Sequence, residues 1–267
     1  MSPEPYPSVA RKINRERVVL LGWGRAILLQ IAHPLVAAAV ADHSPFGEDL
    51  RGYVQRARRT VGAMLRLTFG SDDEARRVVA GITAIHGQVH GTLREAAGIF
   101  PPDTTYSARD PRLLCWVYAT LLDSLPLAYE HFVGPLTREE KDRYCVEAIP
   151  AGGQFGIDTE LLPRRFDDLQ CYIQCMLTSG ELCVTPRARS LAQSLLAPPL
   201  GPAAAPLFLP ARLATVGLLP ETIRDGYGFH WDARQDRRLR KTATIVRRAR
   251  SFVPPLLREW PAARRVA

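Results

Sequence analysis

Apolar residues recur at helical spacing through most of the chain, and no stretch alternates persuasively with the period of two that a half-buried strand requires. Residues 18–32 form an apolar helical run; Pro34 interrupts it and residues 35–41 resume it. Ser44-Pro45-Phe46-Gly47 reads as a turn. Residues 48–69 are amphipathic and stop at Gly70. Ser71 with Glu74 three positions on is a capping box, which predicts a helix over 72–97 followed by a loop over 98–107. Asp110-Pro111 opens a strongly apolar helix to about Phe132, with proline at the first-turn position. A break over 134–137 ends in a second capping box, Thr137 with Glu140, for a helix to about Glu147. Residues 150–163 read as irregular, 165–178 and 186–196 as helices, and 197–210 as a loop rich in Pro and Ala. Helices over 209–219, 221–227 and 232–252 complete the chain. The pattern predicts an all-α, single-domain helical bundle: an N-terminal extension over 1–15, the main domain over 16–230, and a basic C-terminal helix over 231–267 packed on it.

Charge changes this picture at one end only. The net charge of +8 lies entirely in residues 232–267, which carry 11 Lys and Arg against three acids. Nearly all are Arg. Such a tail suits either the solvated face of a terminal helix or peripheral contact with an anionic surface. Balanced charge elsewhere argues against a nucleic-acid binder. Five cysteines, an odd number without Cys-x-x-Cys spacing, point to free thiols in a reducing compartment rather than disulfides or structural zinc. Cys171 and Cys175, one helical turn apart, are expected to be small core thiols. The N-terminus has no charged start followed by an apolar run, so no export signal is read and a cytoplasmic location is expected. Arg25, Gln30, His33 and Pro34 interrupt the longest apolar stretch, which therefore reads as core helix and not as an integral membrane segment.

Three groups of residues carry candidate chemistry. Arg56, Arg59 and Thr60 fall on one helix face at i, i+3 and i+4, a set that suits propionates, phosphate or a substrate oxygen. The alternative for them is an ion-pair face near Glu48 or Asp49. His86 and His90, in Ile85-His86-Gly87-Gln88-Val89-His90, are one turn apart on the predicted helix. They lack the zincin Glu after the first His and have no neighbouring carboxylate. A lone imidazole still suffices as a haem axial ligand, and a non-haem metal would need His33 or His43 as well. His33 and His43 otherwise read as hydrogen-bonding residues at helix ends. Gly22-Trp23-Gly24 lies inside an apolar helix and is no dinucleotide fingerprint.

Several stretches in order carry a resemblance. They are Gln30-Ile31-Ala32-His33-Pro34-Leu35-Val36-Ala37, Asp42-His43-Ser44, Arg56-Ala57-Arg58-Arg59-Thr60, Ile85-His86-Gly87-Gln88-Val89-His90-Gly91 and a run from Tyr106 to Leu121, followed by Tyr129, Gly134-Pro135-Leu136-Thr137 and Tyr144. The chain resembles the oxygenase family that joins the fungal farnesyl-cleaving MpaB-type enzymes to the latex-clearing rubber oxygenases. The resemblance implies an all-α fold with haem b (iron) between central helices. It makes His86 the proximal iron ligand and matches Arg56, Arg59 and Thr60 to a distal Arg-x-x-Lys-Thr group. It matches Asp42 to an acidic residue acting as base. His90 stands where Arg is more usual, and Tyr118 where many relatives have His, so both are taken as cofactor-binding positions. The implied activity is that of a haem-dependent oxygenase or oxidoreductase, with dioxygen or peroxide and a small apolar or unsaturated metabolite; the alternatives are a haem-binding or sensing protein without turnover, or a non-haem metal enzyme using His86 and His90. An apolar pocket is expected along residues 116–125.

Overall fold

The computed structural model describes residues 7–43, 50–196 and 205–265. The predicted turn at 44–47 lies outside them. Among the described residues the chain is all-α apart from one two-stranded ladder. Helix α1 (Val9–Asn14) leads through a short 3-10 turn to α2 (Leu21–Ala32) and α3 (Pro34–His43). Helices α4 (Leu50–Phe69) and α5 (Asp72–His86) precede β1 (His90–Thr92) and β2 (Thr105–Ser107). The rest is helical: α6 (Pro111–Phe132), α7 (Arg138–Gln154), α8 (Phe166–Thr178), α9 (Pro186–Leu196), α10 (Ala205–Gly217), α11 (Glu221–Gly226), α12 (Ala233–Arg250) and α13 (Pro255–Arg258).

The long apolar helices α2 and α6 form the central pair, with α10 on the other side of α2. Glycine makes this sandwich possible. A Cβ on Gly22 would lie 2.7 Å from the Ser124 carbonyl oxygen and 2.8 Å from the Ala128 methyl of α6; one on Gly24 would collide with Thr215 of α10. Gly22-Trp23-Gly24 is thus a helix-crossing device facing two neighbours. The main core gathers around Trp116, Leu28, Leu29, Leu169 and Ile13, and reaches α3, α8 and α9. A smaller core of Ala128, Phe132, Ala214, Leu218, Leu239 and Ala243 fastens α10 and α12 to α6. Val9 and Ile13 are fully buried, so α1 is part of the packed body.

Between α2 and α3 the chain bends by 105°. His33 forms this corner: its backbone is extended, its Nδ1 accepts from the Leu35 amide at 3.3 Å, and its Nε2 lies 3.7 Å from Glu181. No single helix among the described residues is long and apolar enough to cross a membrane, and most of α2 and α3 is buried.

Both capping boxes are present as predicted. Five expectations change. Helix α5 ends at His86, because residues 87–89 turn and the chain enters the ladder in which Gly91 pairs with Tyr106. Helix α7 continues through Pro150 to Gln154, and α10 begins at Ala205 and contains Pro210. Cys171 and Cys175 are exposed, because Leu169 and Ile173 occupy the inner stripe of α8; Cys115 and Cys145 are the buried thiols. The residues of 116–125, expected to line a pocket, largely pack as core.

Two substitutions separate crossing from propensity. Alanine favours a helix over glycine by about 1 kcal/mol, whereas overpacking costs about 1–3 kcal/mol. Gly22→Ala, pressed against backbone, should lower the denaturation midpoint. Gly81→Ala in α5, whose Cβ meets nothing within 4 Å, should raise it by about 0.5–1 kcal/mol. Burial holds the His33 pKa below its ordinary value despite Glu181. The unfolded chain therefore binds the proton more readily, and stability should fall as pH drops through about 6.5. Chemical denaturation between pH 7.5 and 5.5 (roughly one unit either side of the ordinary His pKa) checks this: His33→Asn should show a shallower loss than the parent.

Candidate functional site

Helices α4 and α5 form a hairpin joined at Gly70-Ser71. An open groove of about 420 Å³ runs between them. Arg59, Ala63 and Arg66, at i, i+4 and i+7, form one wall; the other comes from Glu74, Arg77, Val78, Gly81, Ile82 and Ile85. Its floor is apolar and its rim carries three guanidiniums against one carboxylate. That combination suits a flat apolar molecule bearing carboxylates. Thr60 is exposed beside Arg59 on the same helix. The Arg56 side chain lies outside the described residues, as do Glu48 and Asp49.

His86 is the last residue of α5, one position beyond the groove-lining Ile85. Successive helical positions diverge by about 100°, so the imidazole stands at the flank of the groove and not in its wall. It is half-buried. The guanidinium of Arg109 packs on Gly87, where an added Cβ would meet it at 2.5 Å. Burial and then the Arg109 charge hold the His86 pKa below the ordinary value, which favours the neutral ring. Among the described residues its ring makes no hydrogen bond. It is thus a neutral donor with a lone pair to spend. His90 does not share its helix face, because the helix has ended and His90 starts β1.

A second cluster lies along the same ladder. Asp42, at the end of α3, accepts from the Tyr106 hydroxyl at 2.8 Å and pairs with Arg187 of α9 at 3.0 Å. Burial, then the bond to Asp42, pushes the Tyr106 phenol up to about 12. The His43 ring lies edge-on to Tyr106, with its Nε2 3.1 Å from the His90 carbonyl oxygen. Tyr106 crosses Gly91 so closely that a Cβ there would strike the phenol. The structure therefore brings Asp42, His43 and His90 together around Tyr106, and residues 87–89 link them to His86. Tyr118 stands elsewhere: its hydroxyl donates to the Ala148 carbonyl at 2.6 Å, and its ring packs on Phe155 in the joint between α6 and α7. Burial raises its pKa. Sequence reasoning gave no role to Tyr106, Arg109 or Arg187. Tyr106 and Arg109 stand in the motif just before α6, whereas nothing local distinguishes Arg187.

Among the described residues no three His, Cys, Asp or Glu side chains converge as a metal-ion site. This removes the trio of His86, His90 and a further histidine. One measurement tests the Asp42 cluster. Tyr106→Phe deletes a single hydrogen bond and should cost about 1 kcal/mol of unfolding free energy at an unchanged denaturant slope. An unchanged midpoint would mean that the contact contributes nothing.

The chain is similar to an uncharacterized protein of Mycobacterium bovis, at 24% identity over 232 residues covering 85% of this chain and 87% of the relative. An uncharacterized protein of Mycobacterium tuberculosis matches to the same extent. No solved structure matches. Residues 10–248, nearly the whole helical body, match the family described as ER-bound oxygenase mpaB/B'/rubber oxygenase, catalytic domain, and the chain belongs to that oxygenase family.

Proposed function

We propose that this oxygenase-family chain uses haem b, held by His86, to oxidise a small apolar or unsaturated metabolite with dioxygen or peroxide. The observation that carries the reading is the state of His86. Burial holds its pKa below the ordinary value, which favours the neutral imidazole, and without a hydrogen-bond partner among the described residues it flanks a groove lined by apolar side chains and arginines. The donor set fits the group. One imidazole is enough to ligate a haem iron, and guanidiniums are the natural partners of propionates. When bound, the haem would supply the one-electron and dioxygen chemistry that no side chain offers.

The chain's own residues would hold, orient and shield. Arg59, with Arg66 and Arg77, would anchor carboxylates, and the half-buried Ala63, Val78 and Ile82 would supply apolar contact. By the family resemblance, Thr60 and Arg56 would be hydrogen-bond donors to the oxidant or substrate. Arg59 stands where rubber oxygenases carry lysine. Its guanidinium stays protonated and so binds anions without competing for iron. Asp42 is the candidate base, and its two oxygens are held by Tyr106 and Arg187, which fix its direction. His90 touches this cluster through its backbone carbonyl. Tyr118 would act at a distance, by setting how α6 meets α7.

Reconstitution with haem tests the reading. The parent protein should show a Soret band, and His86→Ala should lose it while keeping its helical circular dichroism. An unaltered haem spectrum in that variant would refute the assignment. Arg59→Ala should keep the band but release haem more readily, by about 2- to 5-fold, the worth of an exposed ion pair.

A further inference from the structure

The C-terminal segment carries a feature the oxygenase reading does not use. Positions 234, 238, 241, 245, 248 and 252 are Arg, Arg, Lys, Ile, Arg and Phe, spaced by four, three, four, three and four. On α12 and the turn after it this spacing makes one stripe, and every member is exposed. The opposite face holds Leu239 and Ala243, buried against α6 and α10. The ion pairs of α12 run from Arg240 to Asp236 and from Arg250 to Glu16. Among the described residues, Arg234, Arg238, Lys241 and Arg248 make none.

Beyond α12 the chain forms a short hook over residues 251–258. Phe252 is 87% exposed, Leu256 60% and Leu257 62%, and Ile245 on the adjoining stripe is 65% exposed. The hook is fastened at both ends. Arg250 pairs with the buried Glu16 at its start. At its end the buried Glu259 pairs with Arg15 at 2.8 Å, and the Trp260 amide donates to the Arg15 carbonyl at 3.1 Å. Pro254 and Pro255 stiffen it between. The apolar tip is therefore presented by a fixed scaffold and is not a frayed terminus.

We propose that α12 and the hook dock the protein on an anionic lipid surface, with Ile245, Phe252, Leu256 and Leu257 entering the interface and Arg234, Arg238, Lys241 and Arg248 meeting the headgroups. Cations interleaved with Ile245 and Phe252 on one exposed stripe, with two exposed leucines just beyond it, are what a peripheral membrane contact requires. Nucleic acid would match the charge but leave the leucines and isoleucine in water. A second copy would match the apolar tip but bring the cations against each other. The inference is independent of the haem.

Flotation of the purified full chain with vesicles tests it. Binding should occur with phosphatidylcholine mixed with phosphatidylglycerol, weaken with salt, and be lost with phosphatidylcholine alone. Lys241→Glu with Arg248→Glu should weaken it at least about tenfold. Phe252→Ser with Leu256→Ser, which leaves charge unchanged, should also weaken it about tenfold. Because all four side chains are exposed, the variants should keep the parent's circular dichroism and melting temperature. Equal binding to neutral vesicles overturns the proposal, as does an apolar-tip variant that binds like the parent. Tighter binding to duplex DNA than to anionic vesicles assigns the stripe to nucleic acid. A concentration-dependent dimer abolished by Phe252→Ser with Leu256→Ser assigns the tip to self-association. Either result overturns the lipid reading.

Discussion

The buried ion pair between Arg25 and Asp123 is the constraint on which this fold depends. Its atoms approach to 2.6 Å with both side chains about 6% exposed. Arg25 also donates to Ser124 Oγ and to the Leu218 carbonyl, both at 2.7 Å, and Gln170 donates to the other Asp123 oxygen at 2.5 Å. One guanidinium thus ties α2 to α6 and to the end of α10, and its partner carboxylate reaches α8. Removing one member of such a pair costs about 3–5 kcal/mol, because the other is left charged and buried. Against a total stability of about 5–15 kcal/mol, that loss is large. The pair needs helices in close approach, and Gly22 and Gly24, one turn or less away on α2, provide it. Charge and missing side chains cooperate here: glycine lowers the helices onto each other, and the arginine fixes which residues then meet.

The candidate site hangs from this body. Helix α4 is tied to α1, where Arg11 donates to the Thr68 carbonyl, and Phe69 is buried at its last turn. Helix α5 packs on α4 and hands the chain to the ladder, which rests on α3. Tyr106 and Arg187 draw α3 and α9 to the same place through Asp42. Two of the groups with candidate chemistry, His86 and Asp42, therefore sit at the two ends of one short connection, residues 87–91 with their partner strand. Their separation is set by backbone pairing and not by long side chains.

Local signals with a physical mechanism were legible in the sequence. Ser71 with Glu74 and Thr137 with Glu140 satisfy free amides at helix starts whatever the tertiary context, and both form. Asp110-Pro111 starts α6 and Pro34 turns the corner for the same kind of reason. What failed depended on distant neighbours. Residues 87–97 carry no strong helix breaker besides Gly87 and Gly91, and it is pairing with 105–107 that makes 90–92 extended. Pro150 read as a stop and Pro210 as the end of a loop, yet α7 continues past the first and α10 begins ahead of the second. Cys171 and Cys175 face outward because Leu169 and Ile173 take the core side, a choice that their spacing alone leaves open. In the site, spacing put Arg59 and Thr60 on one helix face, but of the two only Arg59 lines the groove. The clamp on Asp42 was not, since Arg187 is 145 residues away in the chain.

The described residues of α4 from 52 to 60 are exposed around the whole helix, and α5 from 83 to 85 is exposed as well. This half of the hairpin buries little apolar surface, so displacing it forfeits little of the free energy that holds the core together. The two helices, joined at Gly70-Ser71, can part at this end while the Arg25 hub stays shut. Local opening and global unfolding become separate events with separate barriers.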